Sequence, residues 1–329
     1  MSSLCIGFAE TIQKLGPIFI DGHVEELCNM AKEILEQKAY CQQDPDQDED
    51  EEAPEDQAEY DSVLISSAGD LVAAMATAMG SDFIPAFDTF FPLIAKFYVC
   101  YSLFEEEDPV SDFHAPQKTK RSLSERSSSI GCLAEIIGGL KSGVTPWTES
   151  LYTLFIKALG DKEAEVLSNA AFAVGLLVEH SETDMSGQYL TLLGALRPLF
   201  NASPDAPAAF LNAKDNAAGA VGRLLVKNTS ALPLDQVLPV FVNALPLKND
   251  YLENRPAFRA IFHLFRSHGS LLFPYMDHLL QVFALVLDPN GPDQVGDETR
   301  AELIQLIGAL NQQDPVKINA AGLSAFATA

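Results

Sequence analysis

The feature that most constrains this chain is a pattern that returns. Residues 163–180 read Glu-Ala-Glu-Val-Leu-Ser-Asn-Ala-Ala-Phe-Ala-Val-Gly-Leu-Leu-Val-Glu-His, and 47 positions on, Lys214-Asp-Asn-Ala-Ala-Gly-Ala-Val-Gly-Arg-Leu-Leu225 repeats the Asn, Ala, Ala, Ala, Val, Gly and Leu. Going back 41 positions gives Ser128-Ser-Ile-Gly-Cys-Leu-Ala-Glu-Ile-Ile137, and going forward 40 from the second copy gives Ala257-Phe-Arg-Ala-Ile-Phe-His-Leu264. A period near forty residues is the signature of a repeat protein, in which each unit buries its apolar side only against its neighbours. Within a copy, Val166, Ala170, Val174 and Leu177 recur at three and four positions, which makes one buried helical stripe. Small residues on that stripe let adjacent helices come close.

The rest of the chain reads as more of the same. Helices are expected over 3–15, 21–40, 60–79, 83–103, 121–140, 145–159, 162–180, 187–200, 206–228, 233–245, 252–268, 270–287, 297–311 and 315–327, and no stretch reads as a strand. Breakers separate them: Gly16-Pro17, Gly160-Asp161, Pro204, Pro233, Pro246 and the Asp288-Pro-Asn-Gly-Pro292 run. Pro92 is expected to break or kink its helix. Leu154 to Ala171 reads as first helix, tight Asp turn, second helix, so each repeat is an antiparallel pair. This order resembles the HEAT repeat. The expectation is an all-α, right-handed HEAT-repeat solenoid running as a single domain over 1–329.

Charge narrows the function. With 46 acids against 21 bases the net charge is −25, a field that repels nucleic acid and draws basic partners from a distance. Residues 44–61 hold eleven acids, no Lys or Arg and two prolines, and are expected to form a disordered acidic loop, at about 43–59, that helps to attract basic partners. The connection 105–120 is expected to be a long turn between paired helices. No unbroken apolar run is long enough to span a bilayer, so membrane insertion is not expected. The N-terminus lacks the basic region and cleavage site of a signal peptide and opens on an amphipathic helix, as a piece of a longer solenoid does.

Chemistry has little foothold. The five cysteines, Cys5, Cys28, Cys41, Cys100 and Cys132, form no Cys-x-x-Cys pair and read as reduced core residues. His263, His268 and His278 have no carboxylate or thiol partners at ligand spacing, and Pro292 stands where a calcium loop needs a ligand. Trp147, Phe172 and Phe90-Phe91 read as core. No phosphate loop, nucleophile elbow or catalytic triad is recognisable, so no catalytic residue, metal or cofactor is expected.

The repeat offsets place residues in rows across successive second helices. One row holds Glu125, Val166, Ala213 and Glu253, and another holds Ser128, Asn169 and Asn216. Stacked helices lie about 8–10 Å apart, so the two glutamates should stand about 30 Å apart, a span an extended peptide of about nine residues covers. Glu165 and Asn212 sit one turn before Asn169 and Asn216. Carboxylates attract a lysine ammonium, and amides can both donate to and accept from a peptide backbone. The candidate binding residues are therefore Glu125, Glu165, Asn169, Asn212, Asn216 and Glu253. The plainer alternatives are an Asn bonded to the next repeat and a first-turn Glu placed for the helix dipole.

Three stretches go further: Glu125-Arg-Ser-Ser-Ser-Ile-Gly-Cys-Leu-Ala-Glu135, Ser168 to His180, and Asp215-Asn216 with Arg223-Leu224 followed by Ala244-Leu-Pro-Leu-Lys-Asn-Asp250. In this order they resemble the C-terminal part of the importin-β (karyopherin-β) superfamily, most of all the importin-four type and its yeast counterpart, over about 60–311. The resemblance implies a cargo-binding half that grips basic localisation segments of histones and ribosomal proteins, in a receptor shuttling between cytoplasm and nucleus. It implies that Ran GTPase and nucleoporins are met through the full-length receptor, and that Glu125, Asn216 and Glu253 match cargo-gripping positions. Leu252 departs from the pattern, since relatives often carry a second acid there. A static HEAT scaffold and an acidic histone chaperone are the competing readings.

Overall fold

The structure is a computed structural model and describes residues 1–42, 55–98 and 121–327. The helices are α1 (Ser2–Leu15), α2 (Pro17–Ile20), α3 (Val24–Leu35), α4 (Glu55–Met79), α5 (Ile84–Ala95), α6 (Leu123–Leu140), α7 (Thr148–Ala158) and α8 (Ala164–His180). They continue with α9 (Tyr189–Leu196), α10 (Ala208–Asn228), α11 (Leu234–Asn243), α12 (Asn254–His268), α13 (Met276–Val286), α14 (Asp297–Gln313), α15 (Pro315–Ala320) and α16 (Ser324–Ala327). Short 3-10 turns join several of them, and the described residues contain no strand.

The chain divides into two compact units, and the division falls within α8. Unit 1 is Met1–Ala173 with His180–Thr183, and unit 2 is Val174–Glu179 with Asp184–Ala329. In both, the longer second helices pack on one another: α4 on α6 in unit 1, and α10 on α12 and α12 on α14 in unit 2. Close approach is what the small residues supply. A Cβ on Gly139 of α6 would lie 2.7 Å from the main chain of Ala76 and Thr77 in α4, so only glycine fits there. An aromatic cluster fills part of the core of unit 1, with Phe83 stacked on Phe90 and the edge of Trp147 against Phe87 at 4.9 Å between centroids.

Local chemistry sets the helix ends. Ser122 and Glu125 form a capping box at the start of α6, each side chain bonded to the other's main-chain N–H. Asp161 caps the turn into α8 through the Glu163 N–H and takes both ends of the Arg126 guanidinium at 3.2 Å. The expected helix over 21–40 is instead α3 alone, closed at Leu35, with Gln37 at φ 60° just beyond. Pro92 does not break α5: the helix carries on through it and ends at Ala95, because a proline forfeits one hydrogen bond without forbidding the turn that follows. The expected acidic loop ends earlier than its composition suggests, since α4 begins at Glu55; the rest of it, with the 105–120 connection and Cys100, lies outside the described residues.

Two stretches, Glu59–Ala95 and Tyr251–Val286, have the mean hydropathy and length to cross a bilayer. Each is two helices joined by a 3-10 turn, and their apolar side chains, such as Leu71, Met75, Phe258 and Phe283, are fully buried core. Cys5, Cys28, Cys41 and Cys132 are free thiols. Cys132 is buried and its Sγ donates to the Gly69 carbonyl at 3.2 Å; burial pushes that thiol far above its ordinary range.

The fit of Gly139 is directly testable. Gly139→Ala should destabilise the protein by about 1–3 kcal/mol, the usual cost of forcing an extra methyl into a closed contact, read as a lower urea midpoint at unchanged slope.

Candidate functional site

The polar side chains that matter lie on single stripes of the second helices. On α10 the positions Asn212, Asn216, Gly219, Arg223 and Lys227 are spaced four, three, four and four residues apart, and so share one face. On α6 the same rule collects Glu125, Ser128, Cys132 and Glu135, and on α8 Glu165, Asn169 and Phe172.

In unit 1, Glu165 stands exposed in the first turn of α8. Asn169 is half-buried, and its amide nitrogen donates to the Ser127 carbonyl at 2.9 Å and to the Ser127 hydroxyl at 3.0 Å, tying α8 to α6. Glu125 is half-buried as well. One oxygen closes the capping box and the other accepts from Arg121 at 3.1 Å, so its carboxylate is occupied locally. Two acids that the row argument missed are more open. Asp70 of α4 and Glu135 of α6 reach solvent, yet neighbouring helices crowd them. That desolvation raises both carboxyls above their ordinary range, and the Asp70 charge raises Glu135 further.

Unit 2 requires a correction. Glu253 is 1% exposed and is no surface contact. Its carboxylate takes the Arg223 guanidinium in a two-pronged pair, Nη2 to Oε1 at 2.9 Å and Nη1 to Oε2. It lies over Gly219, where any Cβ would fall 1.5 Å from Oε2, so glycine at 219 exists to admit this carboxylate. Arg223 reaches back with Nε to Glu179 at 2.9 Å, and Arg259 donates to the other Glu179 oxygen at 2.7 Å. Buried charge needs such pairing, because an unpaired ion in the interior is costly. Leu252, by contrast, is 84% exposed.

Asn212 is half-buried on the α10 stripe. Asn216 is buried and hydrogen-bonds the Asp250 carboxylate. Asp250 is the acid that the sequence reading passed over. It is half-buried, and its carboxyl is pushed up by burial, with the Leu252 N–H acting in the opposite direction. Its position is fixed from below by Asp215, 4% exposed, whose Oδ2 accepts the main-chain N–H groups of Lys248, Asn249 and Asp250 at 3.0, 2.7 and 3.0 Å. Within unit 1, Asn169 ties α8 to Ser127 of α6 while Asp70 and Glu135 act on each other; within unit 2, Asn216 meets Asp250. Among the described residues no group of three His, Cys, Asp or Glu could hold a metal, and His278 bonds the carbonyls of Val242 and Leu245 instead.

Residues 2–99 match the family model described as importin repeat 6. The chain is 36% identical over 295 residues to a probable importin subunit beta-4 of Schizosaccharomyces pombe, covering 88% of this chain and 25% of that protein. It is 33% identical over 304 residues to Importin-4 of Homo sapiens, covering 91% and 25%. The chain thus spans about a quarter of the length of these relatives. Among solved structures, Kap121p bound to Nup53p aligns over 99% of this chain and 34% of its own at 13% identity and a TM-score of 0.46, and Kap121p bound to RanGTP over 94% and 28% at 13% and 0.45.

Two measurements probe the unit 2 geometry. Arg223→Met should cost about 3–5 kcal/mol, since it strands a buried carboxylate, whereas Arg223→Met with Glu253→Leu should recover most of that loss in urea unfolding. Asp215→Ala should speed amide hydrogen exchange at Lys248, Asn249 and Asp250 by at least tenfold and leave the α12 core protected, because it orphans three donors of one turn.

Proposed function

Because the chain belongs to the importin-β family, in its importin-four branch, we propose that it is a cargo-binding stretch of a nuclear transport receptor, taking lysine-rich segments onto the amide and carboxylate faces of its second helices. The observation that carries this reading is an amide set against a partly desolvated acid: Asn216 of α10 hydrogen-bonds Asp250, with Asn212 one turn earlier on the same face, and Asn169 of α8 has the exposed Glu165 one turn before it. A carboxyl held above its ordinary range by burial gains more from an arriving ammonium than a fully hydrated one does, and an adjacent amide binds peptide backbone without regard to sequence. The net charge of −25 speeds the approach of basic segments.

The cargo is then basic protein, histone tails and ribosomal proteins foremost, carried between cytoplasm and nucleus, with Ran GTPase and nucleoporins acting on the longer receptor. No chemical step is involved. The carboxylate role assigned to Glu253 passes to Asp250, with Asp70 and Glu135 supplying the acids of unit 1.

A fluorescent lysine-rich peptide tests this. Binding is expected to weaken about tenfold or more between low and physiological salt, and to drop at least fivefold in Asp70→Lys with Glu135→Lys; salt-indifferent binding, or none, favours a static scaffold. The pH dependence has a definite sign. Protonation of Asp70 and Glu135 removes the attraction, and because both are raised, affinity should begin to fall while pH is still above the ordinary carboxylate range, with protons released on binding there. Asp70→Asn with Glu135→Gln should flatten that part of the profile.

A further inference from the structure

The far end of the unit 2 stripe has the opposite sign. A cavity of about 210 Å³ is walled by Glu179, Arg223, Val226, Lys227, Pro256 and Arg259. Three of the chain's 21 bases meet there, against two carboxylates, Glu179 and the Glu253 buried behind Arg223. Arg223 is held in place by Glu253 and Glu179, so its guanidinium is a fixed wall. Lys227 is exposed, and its Nζ donates to the Glu179 carbonyl at 3.1 Å. Arg259 is 45% exposed in its side chain, and Glu179 takes one of the five donors that a guanidinium carries. A second carboxylate can therefore enter between Arg259 and Lys227 without breaking the buried pair.

We propose that this cavity is a carboxylate-accepting subsite for a glutamate or aspartate of the bound segment. The inference rests on the reading that Asn216 and Asp250 take a lysine. Arg223 and Lys227 lie seven and eleven residues beyond Asn216 on the same helix face, about 10 and 16 Å along its axis at 1.5 Å per residue. Extended chain covers that in three to five residues. Unit 2 thus selects segments in which a lysine and an acidic residue stand three to five positions apart, and a uniformly basic segment meets repulsion from Arg259 and Lys227.

The test uses the full chain and two fluorescent peptides that differ at two symmetric positions. Both carry a central lysine, and four residues away on each side one has glutamate and the other glutamine. The glutamate peptide is expected to bind at least threefold more tightly, against the sign of the overall charge, and Arg259→Gln with Lys227→Gln should erase that advantage while the glutamine peptide, relieved of repulsion, binds at least as tightly as before. Both side chains are exposed, so the variant should keep its thermal midpoint. Equal or weaker binding of the glutamate peptide, or an advantage that survives the double substitution, overturns the subsite. If neither peptide binds, the lysine contact at Asn216 and Asp250 is what fails. The cavity is then judged by titrating a short Glu-rich peptide that lacks lysine against the arginine Nε–Hε NMR signals. Movement of the Arg259 signal upholds the cavity, and a static one removes it.

Discussion

The close approach of one second helix to the next is the constraint on which the rest depends. Alanine and glycine at the contact, Gly139 against Ala76 and Thr77 most plainly, bring main chains together that larger side chains would hold apart. Two things follow from that proximity. The polar stripes of adjacent helices become one surface, so that Asn169 can reach Ser127 and Arg223 can reach both Glu179 and Glu253. The stripes also lose their independence, because a group added on one helix must find room on its neighbour. Glycine at 219 and the carboxylate of Glu253 are a matched choice made on two different helices.

The same proximity decides which charges are structural. An acid pointing along the packed seam is drawn in, paired and hidden, as Glu253 is; an acid on the shoulder of the stripe, such as Asp70 or Glu135, stays wet but loses part of its hydration. Those partly stripped carboxylates can act on a cation at close range. Fully hydrated charges elsewhere on the chain act mainly through the long-range field, which salt screens. The division between specific contact and general attraction is thus a matter of where on the helix circumference a residue falls.

Much of this was legible in the sequence. The returning Asn-Ala-Ala motif with its small residues gave the helical pairs, the short breaker-rich turns and the stripe carrying Asn169 and Asn216. Glu253 misled because a repeat offset fixes a position along the stack and says little about depth. Its partner Arg223 sits thirty residues away, and only the absence of a side chain at Gly219 hints at a buried group above it. Glu135 was within reach, since continuing the three-and-four spacing from Ser128 arrives at it. The same step from Asn216 arrives at Arg223 and Lys227. Asp250 lay inside the Ala244–Asp250 stretch but in a turn, where helical periodicity has nothing to say. Pro92 was overestimated because its ring tells of one missing bond and not of the packing that carries α5 a turn further.

Asp215 has a consequence for how such a protein can be rearranged. Its carboxylate belongs to α10, yet the three amides it satisfies belong to the turn that enters α12. A repeat here is therefore not a self-contained brick. Excising the stretch that holds α10, or transplanting the one that holds α12, leaves a knot of donors on one side of the cut and a buried anion on the other. Shuffling, duplication or loss of modules in this lineage should be tolerated only where the seam runs elsewhere, or where the tie and its turn travel together.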